Sequence, residues 1–314
     1  YYNILDIWIS KCFYRYFNTF YFNNWPPPST STRLKSNYGW YFFRYYIYFY
    51  VLHYFIFTIM IFTQLIQTNL RTKELGKKVE YYNRLDSTNE EAWELLDEGY
   101  QHGSIIITEN QTKGKGRQSN SWSTVAGKGL AFTLILDKEY SNSFSSFISL
   151  AAGISIVESI MKRGVDCLLK WPNDVFASNK KIGGILCESK IKDKRIKKMI
   201  IGIGLNVNET VEEHPQDIQD YISTMYSITN HAHQRELIVA EFLNSFEKWM
   251  NKIEDEPAKI VETWNVHCMH INKSISFFDR GKKNEGTFIG LNDEGFAKID
   301  INGKIETFNS INIT

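Results

Sequence analysis

The 314-residue sequence predicts an α+β protein, a mixed sheet with helices packed on it and a compact all-β appendage behind it. Three observations carry that reading. β-branched runs and apolar stretches at helical spacing follow one another between about residues 85 and 268. From Ile271 the pattern turns into short alternating runs separated by turn signals. Before about residue 70 the composition is of another kind, with roughly half of all the aromatics and a single acidic residue, Asp6, whereas charges mix in the ordinary way from Glu74 onward.

The elements follow in order. RLDSTNEEAWELLDEGYQHG offers Ser87 or Thr88 as an N-cap, Glu90 or Glu91 for a capping box, apolar Ala92, Leu95 and Leu96 at helical spacing, and Gly99 and Gly103 near the stop, so a helix is expected over about 88–99. SIIITEN (104–110) and GLAFTLIL (129–136) read as strands, with a glycine-rich connection between them. Ser143 to Arg163 is helical by length and period. DCLLKW and DVFAS bracket Pro172, and KIGGILCESKI and KKMIIGIGLNVN are two more strands. Helices are expected over about 233–252 and 257–268, and then a small barrel of hairpins whose turns are Asn-Asp-Glu-Gly and Asn-Gly.

A formal net charge of +1 and a pI near 7.8 give no global basic field, so any anion site must be local. Cys12, Cys167, Cys187 and Cys268 lie far apart with no CxxC pair, which argues against zinc and a disulfide framework and suits a reducing cytoplasm. Tyr45 to Ile66 carries no charged residue and approaches the ~20 residues needed to span a bilayer. Tyr and Phe dominate it rather than Leu and Val, and no signal-peptide cleavage site follows. A poorly structured or truncated leader is expected there rather than an anchor.

Three clusters carry chemistry. QTKGKGRQSNSW (111–122) sets Lys113, Lys115 and Arg117 among Gly114 and Gly116, between an amide and an indole. A solvated loop, a nucleic-acid arm and a flexible clamp over an anionic small molecule all fit that stretch alone. A P-loop does not, because Gly116 is followed by Arg117 and Gln118. LLKWPNDVFASNKKIGGILCE (168–188) places Lys170 and Lys181 around a Trp-Pro turn, with Asn173 and Asp174 as an oxygen pair suited to Mg²⁺ and Gly183-Gly184 leaving the strand bare. Ordinary turn, core and surface roles are open to each of these residues as well. GIGLNVN (202–208) ends an apolar strand in two asparagines, which could cap a loop or bond a ligand.

Together and in this order, STN (87–89), QTKGKGR…W (111–122), KWPND (170–174), KKIGGIL (180–186), Glu188 and GIGLNVN (202–208) resemble the biotin protein ligase family. The resemblance covers roughly residues 70–314. Behind the aromatic-rich leader of uncertain structure (1–70), it implies a class II synthetase-like catalytic domain binding biotin and ATP (71–268) and a small SH3-like C-terminal domain (269–314). It also implies a two-step reaction, with biotinyl-5′-AMP formed from biotin and ATP and biotin then passed to a lysine of a biotin carboxyl carrier protein. Acetyl-CoA carboxylase or a related carboxylase would supply that carrier, and the ligase would work as a homodimer in the cytoplasm.

Carried over by residue, Ser87, Thr88, Asn89 and Gln111 would hold the biotin ring and ureido group, and Gly184 would allow its close approach. Lys115, Gly116 and Arg117 would form the lid over biotin and adenylate, with Gly114 and Trp122 on the nucleotide side. Lys181 would be the foremost catalytic cation, meeting the biotin carboxylate and α-phosphate, with Arg117 second and Lys170 in support. Asn173 and Asn206 would contact the nucleotide, and Asp174 would serve Mg²⁺.

The chain departs from the family pattern where Lys115 replaces an arginine, which keeps the charge but loses the fork. Residues 1–70 show no helix-turn-helix pattern and few cations, so nucleic acid and membrane are not expected partners. The alternatives are a biotin-responsive DNA-binding repressor and a lipoate ligase of related fold, of which the KWPND cluster disfavours the second.

Overall fold

Two sheets organise the residues that the computed structural model describes, 60–279 and 281–313. Residues 1–59, and with them most of the expected leader, lie outside the described residues. The last seven residues of the apolar Tyr45–Ile66 run are described, and two of them pack into the core: Ile61 and Ile66 are buried, and the Ile61 amide donates to Glu109 Oε1 at 2.6 Å.

In chain order the elements are α1 (Thr63–Thr68), β1 (Val79–Tyr82), α2 (Thr88–Asp97), β2 (Ile105–Thr108), β3 (Leu130–Leu136), β4 (Tyr140–Ser141), α3 (Ser145–Met161), β5 (Leu168–Lys170), β6 (Asp174–Ala177), β7 (Lys180–Lys192) and β8 (Arg195–Leu205). Then come α4 (Met225–Thr229), α5 (Arg235–Met250), α6 (Pro257–His267), β9 (Lys273–Asp279), β10 (Lys282–Leu291), β11 (Ala297–Ile301), β12 (Lys304–Phe308) and β13 (Asn312–Ile313). The larger sheet has eight strands in the order β1-β2-β3-β8-β7-β6-β5, with β4 on β8. It is mixed because β1 and β2 run parallel while the remaining pairs are antiparallel.

Successive side chains on a strand face opposite ways, and this period of two divides the core. Ile106, Ile135 and Ile200 meet Ala92, Leu95 and Leu96 of α2 on one face. Ile105, Ile107, Phe132, Leu134 and Ile201 join the larger cluster under α3 and α5 on the other. All seven residues of β3 are buried, as a strand covered on both faces requires. Helix α3 is long and apolar enough to cross a membrane, but most of its apolar length is buried against α5, α6 and the sheet.

The α+β prediction holds, and so does the all-β tail, which forms a five-stranded antiparallel sheet ordered β12-β11-β10-β9-β13. Asn302 and Gly303 supply the positive φ angles of the β11–β12 turn. Phe277, Phe288, Ile299 and Ile313 of this sheet join the same core cluster as α3 and α5.

One local expectation is corrected. Ser87 is the N-cap of α2, but its side chain makes no capping bond, and the Thr88 amide is instead taken by Gln111 Oε1 at 2.9 Å. The capping-box pattern fails here because Ser87 lines a pocket rather than turning back on its own helix.

Candidate active site

The pocket forms on the α2 side of the sheet, where β8 carries no side chains at alternate positions. A Cβ on Gly202 would fall 2.1 Å from Asn89 Oδ1, and one on Gly204 would fall 2.3 Å from the Trp122 indole. These two glycines are bare because an amide from α2 and an indole from the 111–122 loop occupy the space. Gly184 pairs with both Gly204 and Asp174, so the floor continues across β7 to β6.

One end of the pocket is neutral and rich in hydrogen-bonding groups. Thr88 donates through its amide and hydroxyl to Gln111 Oε1, at 2.9 and 3.1 Å. Asn89 spans the sheet: its Nδ2 donates to Glu188 Oε2 at 2.6 Å and to the Leu186 carbonyl at 3.5 Å, and its Oδ1 accepts from the Thr133 hydroxyl at 2.7 Å. Both Asn89 N–H groups and one lone pair of its oxygen are thus engaged by protein groups, which fixes its side chain in the pocket wall.

The other end gathers cations. The Lys181 ammonium lies 2.8 Å from Asp174 Oδ1 and 5.6 Å from the Trp122 ring centre. Its backbone is pinned by the segment at 221–223, with Lys181 N–H donating to the Tyr221 carbonyl and Ser223 N–H to that of Lys181, both at 2.9 Å. Lys170 stands opposite Asp174 in the β5–β6 pairing, and burial lowers its pKa from the usual lysine value. Burial likewise lowers that of Arg117. Arg117 donates to Asn173 Oδ1 at 3.2 Å, and Asn173 is held in turn by donating its own amide to the Ile185 carbonyl at 2.8 Å.

The loop between these ends is a tight hairpin. Gly116 N–H donates to the Asn120 carbonyl at 2.7 Å and Trp122 N–H to that of Gly114 at 2.8 Å. A Cβ on Gly114 would lie 2.4 Å from the Trp122 carbonyl oxygen, so this glycine lets the loop's two arms approach. Lys113 pairs with Asp86 at 2.8 Å and Lys115 with Glu90 at 2.5 Å. On the far side Arg117 donates to Ser310 Oγ, and Asn312 donates to Gln118 Oε1, both at 3.0 Å.

Of the residues singled out by sequence, Ser87, Thr88, Asn89, Gln111, Lys115, Gly116, Arg117, Trp122, Lys170, Asn173, Asp174, Lys181 and Gly184 line this one pocket. Gly114 and Asn206 do not. Asn206, expected to touch the nucleotide, is buried and donates to the Ser223 carbonyl at 3.0 Å, so it acts on the pocket only through the segment that pins Lys181. Among the described residues no group of three or more His, Cys, Asp or Glu is arranged to hold a metal. Sequence reasoning missed Thr133, Glu90, Ser310 and Asn312. Thr133 had a signal, a lone hydroxyl in an apolar strand, whereas Ser310 and Asn312 had none.

Fold and site together define an α+β domain whose pocket offers neutral amides and hydroxyls at one end and cationic side chains at the other. The profile of the biotin/lipoate A/B protein ligase family matches residues 81–206. The bifunctional ligase/repressor BirA of Bacillus subtilis is 28% identical over 252 residues, 78% of this chain and 76% of that protein. The biotin--[acetyl-CoA-carboxylase] ligase of Paracoccus denitrificans is 25% identical over 222 residues, 68% of this chain and 90% of its own. The solved biotin protein ligase of Aquifex aeolicus in complex with biotin and ATP superposes with a TM-score of 0.65 at 26% identity, covering 76% of this chain and 98% of that one. Residues 81–206 thus match the biotin/lipoate A/B protein ligase family, and the chain is similar over most of its length to biotin protein ligases.

Proposed function

We propose that this chain is an ATP-dependent biotin protein ligase, and the observation that carries the reading is the division of one pocket into a neutral amide and hydroxyl end and a cationic end under a common lid. A carboxylate does not acylate an amine at neutral pH. In the first step a biotin carboxylate oxygen attacks the α-phosphorus of ATP and pyrophosphate departs, leaving a mixed anhydride. In the second a carrier lysine amine attacks the acyl carbon, the bond to the phosphate oxygen breaks, AMP leaves and the amine gives up a proton.

Both steps build negative charge at the phosphate, and neither requires a protein nucleophile. Catalysis therefore rests on positioning and on cations already in place. Lys181 is our choice for the group that meets the carboxylate and α-phosphate, because Asp174, Trp122 and the 221–223 segment hold it in the pocket. Arg117 offers a planar fork to the phosphate, and Lys170 adds a second, half-buried charge. Trp122 and Gly204 provide the flat wall for the adenine. Thr88 and Gln111 face the ureido head.

Mg²⁺ belongs to this reading as part of the MgATP substrate. Asp174 Oδ1 already accepts Lys181 and Asn173 Oδ1 accepts Arg117, so the protein leaves few oxygens for an ion, in keeping with a Mg²⁺ held mostly by phosphates. The acceptor is a biotin carrier domain of a carboxylase, supported by the name of the Paracoccus relative. Nothing among the described residues favours the repressor alternative.

The test is transfer of labelled biotin to an apo carrier domain with MgATP, alongside pyrophosphate release. Wild type is expected to transfer, and Lys181→Ala to fall by about 10²–10³ in rate, the usual effect of removing one electrostatic donor. A folded wild type that neither transfers biotin nor releases pyrophosphate would overturn the reading.

A further inference from the structure

The neutral end of the pocket is ordered by a chain of polar side chains that reaches a carboxylate no role has yet been given. Glu188 accepts from Asn89 Nδ2 at 2.6 Å, Asn89 Oδ1 accepts from Thr133 at 2.7 Å, and the Thr133 and Thr88 hydroxyls lie 2.8 Å apart. Thr88 then meets Gln111 Oε1. Thr133 is fully buried, and Thr88 and Asn89 are nearly so, which leaves water little part in this chain. Thr133, Gly202 and Leu186 are register partners on β3, β8 and β7, so Asn89 sits across three strands in the space that Gly202 leaves open.

Such a chain has a direction, and an ionised carboxylate sets it because it can only accept. With Glu188 accepting, Asn89 must turn its NH₂ to β7 and its oxygen to Thr133. The one Thr133 proton is then shared between Asn89 Oδ1 and the Thr88 hydroxyl oxygen, both of which accept from it. The Thr88 proton goes to Gln111 Oε1, so Gln111, whose oxygen is held by both the Thr88 amide and hydroxyl, turns its NH₂ outward, while Thr88 keeps a lone pair for the pocket. Resting on the biotin ligase reading above, we propose that Glu188 is a positioning residue which, through Asn89 and Thr133, sets the donor and acceptor pattern that Thr88 and Gln111 present to the ureido group. Without Glu188 the Asn89 amide can flip, and the pattern at the pocket is no longer unique.

The test uses the full chain and steady-state biotin transfer with Glu188→Leu, Glu188→Gln and Thr133→Val, each checked for its melting temperature. Glu188→Leu and Thr133→Val are expected to raise KM for biotin about tenfold, with kcat and KM for ATP within twofold of wild type. Glu188→Gln, which can still turn its oxygen to Asn89, is expected to recover most of the loss. Glu188→Leu is also expected to discriminate less against a biotin analogue whose ureido oxygen is replaced by an imino NH, because that analogue reverses one acceptor. An unchanged KM for biotin in both folded variants, or a fall in kcat and a rise in both KM values together, would overturn the proposal. Absence of transfer by the wild type would instead count against the ligase reading itself.

Discussion

Gly204 carries no side chain because a Cβ would lie 2.3 Å from the indole of Trp122. Gly204→Ala is therefore expected to displace Trp122 while leaving the strand in place, since the colliding atoms belong to a side chain on a loop. The expected outcome is a rise of about tenfold or more in KM for ATP with little change in KM for biotin, together with a red shift of the tryptophan emission. Equal changes in the two KM values would mean that the wall serves both substrates. At this scale the sequence was most legible where chemistry forces an unusual residue choice: amides and cations grouped among glycines brought almost every expected side chain to one pocket. It did not show that Asn206 bonds the segment at 221–223, because an asparagine that bonds backbone and one that bonds a ligand look alike in sequence. It was silent on Ser310 and Asn312, whose bonds to the lid span sequence separations of 193 and 194 residues.

The element that most needs a physical account is the loop from Gln111 to Trp122. Its arms are paired to each other, Lys113 and Lys115 are tied to acidic residues beside α2, and Arg117 and Gln118 are tied to Asn173 and the segment at 310–312. The two lysine pairs are largely exposed, and such pairs contribute only ~0.2–1 kcal/mol each. The loop is thus ordered yet weakly fastened, which suits a lid. Trypsin is expected to cut slowly after Lys113, Lys115 and Arg117 in the free protein and several-fold more slowly with biotin and MgATP together. Equal cleavage with and without both substrates would show that the loop does not close on them. Most strands and long helices were legible from their periodicity. The N-terminus of α2 was legible in place but not in mechanism, because the group that satisfies the Thr88 amide comes from another part of the chain.

Across the whole molecule, the C-terminal sheet was legible as a separate run of hairpins, but its continuity with the main core was not. That continuity depends on which faces of β9, β10 and β11 turn inward, and the apolar residues there join the cluster under α3 and α5. His270 lies at this junction. Burial, reinforced by the positive charges of Lys170 and Lys273, pushes its pKa down to about 4, and burial does the same to His233. An unfolded histidine titrates near 6.5, so between about pH 6.5 and 4 the unfolded chain binds more protons than the folded one. The stability these neutral rings contribute is complete above pH 6.5 and is lost as the pH falls toward 4. Urea midpoints are expected to be level from pH 8 to 7 and to decline from 6.5 to 5, with a shallower decline in His270→Leu. An equal slope in wild type and variant would remove His270 from the account.

The pairing of the lid lysines has one more consequence. A cluster of unneutralised cations gains a full Coulomb attraction when an anion arrives, and that gain shrinks steeply as salt is added. Here Asp86 and Glu90 already occupy Lys113 and Lys115, and Asp174 occupies Lys181, so an incoming phosphate exchanges one partner for another. What the protein gains is the difference between two ion pairs, and salt weakens both sides of that difference. At these three lysines the gain from an arriving anion is therefore set by geometry more than by field and is buffered against changes in ionic strength.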